Sequence, residues 1–383
     1  MSSPPSPNAD SRYSRKLYDL PQILQEPPEM PKGLPHVRHE FEGIWPDDGG
    51  YMIRGWAAHH EKPWTTVELW LNGKSMGRVQ PWMRDDLLEH SGQLPNIGTA
   101  GFKFSIKASE IGKISTDRAD IILYDGDEPF GWVWTPLRTD ITEIVPSPPA
   151  HLMKRVIGTE SPDYFVRFAL TCFGQYTAAA SKHRDFKTIK KMLDWGCGCG
   201  RVTSHYLRII DGPVVTGCDI DGEDITWCQE NLKGGRFLHT QPFVPLPFDE
   251  NEFDLIVSLS VMTHLTKSQQ DTWLREIDRI LAPGGIFVCS LNGPHAARAM
   301  HDSFSRRLQT EEFFDLPDPA LDGIAPEGYY RNTVQSVPYT RRSFGKVFDV
   351  LEVIESGVGI QDLVVARKSE SPKRRGIFDK LKK

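Results

Sequence analysis

The hydrophobic residues of this chain follow two different periods, and these divide it into two parts. Between residues 39 and 144, apolar and polar positions alternate in short runs, as in β-strands with one buried face. Asn72-Gly73 and Asp125-Gly126 supply tight turns between such runs. The pattern predicts an all-β sandwich domain over residues 38–146, with strands at 51–57, 66–71, 102–106 and 119–124.

The second part alternates apolar runs with segments of helical periodicity. Helices are predicted at 162–181 and 266–281, and strands near 192–195, 214–219, 236–239, 253–258 and 286–291. Strands that alternate with helices in this way form parallel sheets. The sequence therefore predicts an α/β, Rossmann-like domain over residues 151–368, which binds its ligand where the carboxyl ends of the strands meet.

A glycine-rich segment directly follows the first strand of this predicted sheet. Residues 192–201 read M-L-D-W-G-C-G-C-G-R, with glycines at alternate positions. Because glycine has no Cβ, the backbone can turn sharply here and approach a ligand closely. The dinucleotide pattern G-x-G-x-x-G would require a glycine where Arg201 or Thr203 stands, so the spacing favours a different nucleoside ligand.

Asp219 ends the next predicted strand, about 20 residues beyond the glycines, where nucleoside-binding folds hold an acid for the ribose. A carboxylate in this position accepts two hydrogen bonds from vicinal hydroxyl groups. The alternative is a turn residue beside Asp221-Gly222.

Six short segments, taken in their order and spacing, resemble one enzyme family. They read L-D-W-G-C-G-C-G-R from Leu193, W-C-Q-E-N-L, P-L-P-F, F-D-L-I, S-V-M-T-H-L and L-A-P-G-G. This order is similar to that of bacterial class I S-adenosylmethionine-dependent methyltransferases. The resemblance implies a mostly parallel seven-stranded sheet with an antiparallel last strand, and S-adenosyl-L-methionine as the cofactor. It assigns cofactor binding to Asp194, Gly196, Gly198, Gly200, Arg201, Asp219, Ile220, Gln241 and Ser260.

Two positions differ from many relatives, and one of them is Trp195, which stands where those relatives have a smaller apolar residue. Where these carry an acid for the adenine after the third strand, this chain has Thr240-Gln241-Pro242, so we expect the amide of Gln241 to take that role.

The helix before the glycine-rich segment is expected to cover the cofactor, with Gln175 or Tyr176 near its methionine end.

Methyl transfer to a hydroxyl group also requires a base, and histidine suits this task near neutral pH. His264 follows the fourth predicted strand and His295 follows the fifth, where loops that face the acceptor should begin. Both are candidate catalytic residues. The alternative for His264 is that it caps a turn or leans on the cofactor.

The N-terminal β-domain resembles, at the level of fold, the accessory domains beside enzymes that build bacterial polysaccharides. Aromatic faces suit sugar rings, so the expected reaction is O-methylation of a sugar or glycan precursor, which is the acceptor. The alternative function is a cofactor-binding scaffold whose β-sandwich binds a carbohydrate or a partner. Seven of the ten tryptophans fall in this domain, namely Trp45, Trp56, Trp64, Trp70, Trp82, Trp132 and Trp134.

Composition sets the remaining expectations for the 383 residues. Residues 1–37 are rich in serine and proline and predict a disordered arm, and residues 369–383 form a basic tail suited to weak contact with a membrane surface. The net charge of -6 argues against nucleic acid as a partner. The six cysteines lack metal-ligand spacing, so we predict buried, reduced thiols and no metal. Without an apolar leader, a cytoplasmic location is expected; the oligomeric state is left open.

Overall fold

The computed structural model describes residues 16–25, 31, 34, 37–59, 62–91, 97–111, 117–138, 141–319 and 322–370. Most of the predicted serine- and proline-rich arm lies outside these residues, as do residues 371–383 of the basic tail. The helices of the first 144 residues are α1 (Leu20–Leu24), α2 (Asp85–Ser91), α3 (Ala108–Ile111) and α4 (Ile141–Ile144). The strands are β1 (Arg38–Asp47), β2 (Gly50–Ala58), β3 (Thr66–Leu71), β4 (Lys74–Val79), β5 (Gly101–Lys107), β6 (Asp117–Asp125) and β7 (Glu128–Leu137).

The N-terminal part is β-rich, as its alternating pattern predicts. Its strands form a three-stranded sheet in the order β1-β2-β5 and a four-stranded sheet in the order β4-β3-β6-β7, with all pairs antiparallel. Apolar side chains of both sheets, among them Ile53, Phe102 and Ile121, share one buried cluster. The turn between β3 and β4 uses Asn72 and Gly73, both with positive φ, which suits the twist of a hairpin.

The C-terminal part begins after the proline-rich joint at residues 146–149. Its helices are α5 (Ala150–Ile157), α6 (Pro162–Ser181), α7 (Thr203–Tyr206), α8 (Gly222–Asn231), α9 (Lys267–Ile280), α10 (Pro294–Met300), α11 (Asp302–Thr310) and α12 (Val337–Gly345). Its strands are β8 (Lys191–Trp195), β9 (Val214–Asp219), β10 (Arg236–His239), β11 (Phe253–Ser258), β12 (Leu281–Leu291), β13 (Phe313–Pro317), β14 (Arg331–Gln335), β15 (Asp349–Val358) and β16 (Gln361–Arg367).

Seven of these strands form one mixed, mostly parallel sheet in the order β10-β9-β8-β11-β12-β16-β15. The first five are parallel, whereas β16 runs antiparallel to both of its neighbours. This is the Rossmann-like α/β fold that the sequence predicts, with the antiparallel last strand that the family resemblance implies. Because β8 and β9 lie side by side and parallel, the glycine-rich segment and Asp219 emerge at the same edge of the sheet.

One predicted boundary is wrong. The sequence predicts a loop at residues 282–285 before a strand at 286, but β12 already begins at Leu281, directly after α9. Phe253 of β11 pairs with Leu281, and the register then shifts before Leu255 pairs with Ile286. A β-bulge therefore accommodates the proline and glycines that a sequence pattern assigns to a loop.

The assignment of residues 16–25 to a disordered arm is also wrong. The side chain of Tyr18 is fully buried, its hydroxyl forms a 2.7 Å hydrogen bond with Nδ1 of His205, and its backbone pairs with Ile209. Leu20 and Ile23 of α1 join the same hydrophobic cluster as α6. A few apolar side chains are sufficient to hold this segment against the C-terminal domain, although serine and proline dominate the average composition around it.

We expect Tyr18→Phe to lower the free energy of unfolding by about 1–2 kcal/mol, because the buried ring of His205 loses a hydrogen-bond partner. Denaturant unfolding of both proteins at one pH measures this change. An unchanged stability would contradict the docked position of the segment.

The β-rich N-terminal part packs directly on α6 of the C-terminal part. Nε2 of Gln175 donates a 2.8 Å hydrogen bond to the carbonyl of Trp134, and the hydroxyls of Thr135 and Thr171 lie 2.9 Å apart. Trp134 belongs to the hydrophobic cluster that lies beneath α6. The two parts therefore share buried contacts beyond the proline-rich joint.

Candidate functional site

The glycine-rich segment turns sharply out of β8. Gly196, Gly198 and Gly200 have φ values of +76°, +51° and +76°, a left-handed conformation that favours glycine. The first two line a cavity at the carboxyl edge of the sheet. Gly200 lies outside the cavity lining, and a Cβ there would approach Leu232 and the thiol of Cys228. The structure therefore gives Gly200 a role in packing against α8.

Asp219 lies beside this loop, at the end of β9. Its Oδ2 accepts a 2.7 Å hydrogen bond from the backbone N–H of Gly198, and its Oδ1 accepts one of 2.9 Å from that of Asp221. Each carboxylate oxygen keeps a second lone pair, so the group can still accept hydrogen bonds from a ligand. Burial raises the pKa of Asp219, and the two backbone hydrogen bonds act against that shift.

Asp194 lies at the end of β8 and is 3% exposed. The hydroxyl of Thr203 donates a hydrogen bond to its Oδ2, and burial raises its pKa to about 6. It lines the cavity together with Arg201, whose guanidinium lies over the ring of Phe168, 5.8 Å from the ring centre. Asp194 and Arg201 therefore bring a buried carboxyl group and a buried guanidinium to the cavity wall.

The cavity measures about 1090 Å³, including space open to solvent. It extends from the loops after β8 and β9 to those after β10 and β11. Nine residues predicted for the site come together in its lining, namely Asp194, Gly196, Gly198, Arg201, Asp219, Ile220, Gln241, Ser260 and His264.

Ser260 has a φ of +67°, which is unusual for a residue with a side chain. Its backbone N–H donates a 2.8 Å hydrogen bond to the hydroxyl of Ser290, and its own hydroxyl donates one of 2.9 Å to Oε1 of Gln361. These contacts to β12 and β16 hold the strained residue at the cavity wall.

The helix that covers the cavity is α5 and not α6 as predicted. Arg155 and Val156 of α5 line the cavity, and Arg155 forms ion pairs with Asp221 and Glu223 of the α8 start. Gln175 and Tyr176 lie outside the lining, since Gln175 binds Trp134 and Tyr176 donates to the carbonyl of Ser258. Sequence reasoning missed Arg155 because only the fold of residues 150–157 brings it across the cavity.

His264 lines the same cavity from the loop that follows β11. Its Nδ1 is 2.9 Å from the carbonyl of Arg331, and its ring stacks on Tyr330 with 3.8 Å between centres. Burial lowers the pKa of His264 to about 4, so the imidazole is neutral at pH 7. Because a carbonyl only accepts, Nδ1 carries the proton and Nε2 keeps a free lone pair. No hydrogen bond reaches Nε2 from the described part of the chain.

His295, the second predicted base, lies outside this cavity lining. It stands in the first turn of α10, with Nδ1 3.9 Å from a carboxylate oxygen of Glu355. Position after a strand was the only signal for His295, and α10 turns it toward the β15–β16 hairpin. The structure does not bring the two histidines together.

All six cysteines are buried and free of disulfides. Within the described ranges, no group of three or more histidine, cysteine or acidic side chains has the geometry of a metal site. The described helices also include none that is both long and apolar enough to cross a membrane.

A glycine turn, an acid at the end of the neighbouring strand and a cavity over both define a nucleoside-binding α/β domain. The alternating glycines of the loop, the open lone pairs of Asp219 and the absence of a glycine at positions 201 and 203 fit S-adenosylmethionine. Residues 193–289 match the family model described as a methyltransferase domain. The chain carries a class I S-adenosylmethionine-dependent methyltransferase domain, and S-adenosylmethionine is its cofactor.

Curated relatives show the same domain. A fatty-acid O-methyltransferase of Mycolicibacterium smegmatis is 27% identical over 173 residues, which cover 40% of this chain and 62% of that protein. A cyclopropane-fatty-acyl-phospholipid synthase of Escherichia coli is 32% identical over 99 residues, or 26% of this chain and 25% of that protein. The chain thus spans less than two thirds of these relatives. A crystal structure of a methyltransferase from Methanosarcina mazei is 20% identical, with a TM-score of 0.38, and covers 50% of this chain and 96% of that one.

Gly198→Ala tests the close approach of the loop. A Cβ here would lie 3.0 Å from Cγ2 of Val156, and the left-handed backbone should cost about 1–2 kcal/mol of stability. We expect weaker binding of S-adenosylhomocysteine by calorimetry, because the new methyl group and Val156 compete for the same space. Gly234→Ala is the matched control, since Gly234 has a φ of +88° but no neighbour within 4 Å. Equal affinities of the two variants would contradict the close approach.

Proposed function

We propose that the protein is an S-adenosylmethionine-dependent O-methyltransferase whose acceptor hydroxyl or carboxyl binds beside His264. The observation that carries this proposal is a neutral imidazole at the cavity, oriented by the Arg331 carbonyl and stacked on Tyr330. The cofactor supplies an electrophilic methyl group on a sulfonium, which is a good leaving group. The protein has to align the acceptor oxygen, exclude water and remove a proton.

The residues of the cavity divide this work. Asp219 and the glycine-rich segment bind and orient the nucleoside, and Gln241 contacts its adenine. α5 covers the cavity through Arg155 and Val156 and limits access of water. Nε2 of His264 accepts the proton of a hydroxyl acceptor.

For the acceptor, we propose a sugar or glycan precursor. The N-terminal β-unit, whose two sheets share a core as in a sandwich, would help to bind it. Trp56, Trp64 and Trp134 are buried and serve the cores, but Trp82 is 36% exposed. The guanidinium of Arg54 lies 5.8 Å from the centre of its ring, and 5.0 Å from that of Trp45. This partly exposed aromatic surface supports a role in binding sugar rings.

A lipid acceptor is the second candidate. Phe243 and Val244 are 55% and 38% exposed beside the cavity, and Phe243 packs edge-on against Tyr329, a lining residue. Exposed apolar side chains at the mouth of a site suit an acyl or alkyl chain. The names of two relatives point in the same direction, since they act on a fatty acid and on fatty-acyl phospholipid.

Transfer of labelled methyl groups from S-adenosylmethionine to extracted glycans and to extracted lipids tests the proposal. A sugar acceptor predicts product in the glycan fraction that decreases in Trp82→Ala and not in Phe243→Ala. A lipid acceptor predicts the reverse. Both variants should bind S-adenosylhomocysteine like the wild type. A protein that binds this compound but labels neither fraction would instead be a scaffold, with the β-unit binding a carbohydrate or a partner.

A further inference from the structure

Asp224, in the first turn of α8, is a buried acid that takes part neither in the contacts of Asp219 nor in the ion pairs of Arg155. Its side chain lines the cavity, yet the residue is only 2% exposed. Oδ1 is fully enclosed and accepts no hydrogen bond, and none reaches Oδ2 from the residues that the structure describes. A buried carboxyl group without a partner destabilises a protein, so such a group calls for a ligand.

The position of Asp224 indicates which part of the ligand it faces. A Cβ built on Gly198 would lie 3.6 Å from Oδ2 of Asp224, while the N–H of the same glycine donates to Oδ2 of Asp219. The two carboxyl groups therefore flank one glycine of the loop. A ribose diol is a ligand group that can reach two such acids at once, because its oxygens are adjacent.

The charges around Asp224 favour its protonated form. Three acids lie near Asp224, namely Asp219 at the end of β9, Asp221 before α8 and the preceding residue Glu223. The thiol of Cys199 in the glycine-rich segment also interacts with it. Arg155 in α5 supplies a positive charge, which is paired with Asp221 and Glu223. Burial first, and then Asp221 and Asp219, raise the pKa of Asp224 to about 8. Asp219 accepts hydrogen bonds from two backbone N–H groups, which act against the effect of burial on its pKa, whereas Asp224 accepts none from the described residues and carries at pH 7 a proton that it can donate.

We propose that Asp224 is a second ribose-binding residue, which exchanges hydrogen bonds with one hydroxyl of the cofactor while Asp219 binds the other. This inference rests on the proposed function, because it requires the cofactor in the cavity. An acceptor–donor pair of acids would select a free diol more strongly than Asp219 alone.

Calorimetry with S-adenosylhomocysteine at pH 7 tests this role. We expect Asp224→Ala to weaken binding about 10-fold, and Asp224→Asn, which keeps a donor and an acceptor, to stay within about threefold of the wild type. Glu230→Gln removes an exposed carboxylate from the same helix and should change nothing. The S-adenosylhomocysteine analogue without the 2′ and 3′ hydroxyls should bind equally to the wild type and to Asp224→Ala.

Three outcomes would overturn the inference. One is wild-type affinity of Asp224→Ala for S-adenosylhomocysteine. Another is that Asp224→Ala weakens binding of the analogue without the 2′ and 3′ hydroxyls as much as it weakens binding of S-adenosylhomocysteine. The third is a loss that disappears only with an analogue lacking the amino group, which would assign Asp224 to the ammonium. A wild-type protein that binds no S-adenosylhomocysteine would refute the proposed function itself.

Unfolding without any cofactor gives an independent measurement. The folded-state pKa of Asp224 lies above that of the unfolded chain, so unfolding releases a proton between about pH 4 and pH 8. The stability contributed by the protonated group is complete below this window and is lost as the pH rises through it. Relative to Asp224→Asn, the wild type should therefore become less stable from pH 4 to pH 8. If the free energies of unfolding of the wild type and Asp224→Asn changed in parallel with pH, the buried, unpartnered state of Asp224 would be contradicted.

Discussion

His264→Gln should lower the rate of methyl transfer by about 10²- to 10⁴-fold, the usual contribution of a general base. Glutamine keeps a polar side chain of similar reach but cannot take up a proton. The affinity for S-adenosylhomocysteine should stay close to that of the wild type, because the residues proposed to bind the nucleoside, Asp219 and the glycine-rich segment, belong to other loops. Rates measured with saturating acceptor separate these two effects.

His295→Gln is the matched control for this experiment. His295 has the same side chain and a similar position after a strand, but it lies outside the lining of the cavity. We expect wild-type rates for it. A large loss in His295→Gln together with little loss in His264→Gln would exchange the roles of the two residues and refute the proposed base.

The pH profile gives a second test of the same base. Because burial lowers the pKa of His264 to about 4, the free base is present at all higher pH values. The rate should therefore not depend on the titration of this group between about pH 5.5 and pH 8. Asp194 also titrates near this range, since burial raises its pKa to about 6, so a rate that rises with an apparent pKa of 6–7 in both the wild type and Asp194→Asn would indicate a different base.

Asp219→Ala should weaken binding of S-adenosylhomocysteine by about 100-fold, which corresponds to roughly 3 kcal/mol. The variant loses the carboxyl oxygens that are proposed to accept hydrogen bonds from the ribose. It also leaves the N–H groups of Gly198 and Asp221 without the oxygen atoms that hold the loop in place. Calorimetry at pH 7 measures the change.

Asp219→Asn is the control for the loop. Its amide oxygen can keep one of the backbone hydrogen bonds, so we expect an affinity between those of the wild type and of Asp219→Ala. Unfolding curves should show both variants folded at the temperature of the titration. Wild-type affinity in Asp219→Ala would contradict the assignment of this residue to the ribose.

Local patterns predicted the part of the site that belongs to strand ends. Five elements have their predicted bounds, because apolar runs of this length bury themselves in a sheet or against it; they are β3, β9, β10, β11 and α6. Asp219 and the loop at Gly196 and Gly198 follow directly, since parallel neighbouring strands end at the same edge.

Residues on helices were harder to predict. Gln175 and Tyr176 lie on the predicted helix, but that helix turns them toward the β-rich part and β11. Arg155 and Asp224 were missed, because their nearness to the cavity depends on how α5 and α8 pack over the loop. No periodicity in the sequence reports that a carboxyl group is buried without a partner.

The resemblance of six segments to one enzyme family predicted the class of cofactor, and the order of apolar runs, glycines and one acid was sufficient to predict the α/β sheet and its ligand-binding edge. These features depend on short-range preferences and on rules of strand connection that hold for any such chain. The cover over the cavity, the proton position on His264, the docking of residues 16–25 and the free carboxyl of Asp224 arise from contacts between distant segments. Burial and hydrogen-bond partners are properties of those contacts, so only the tertiary structure determines them.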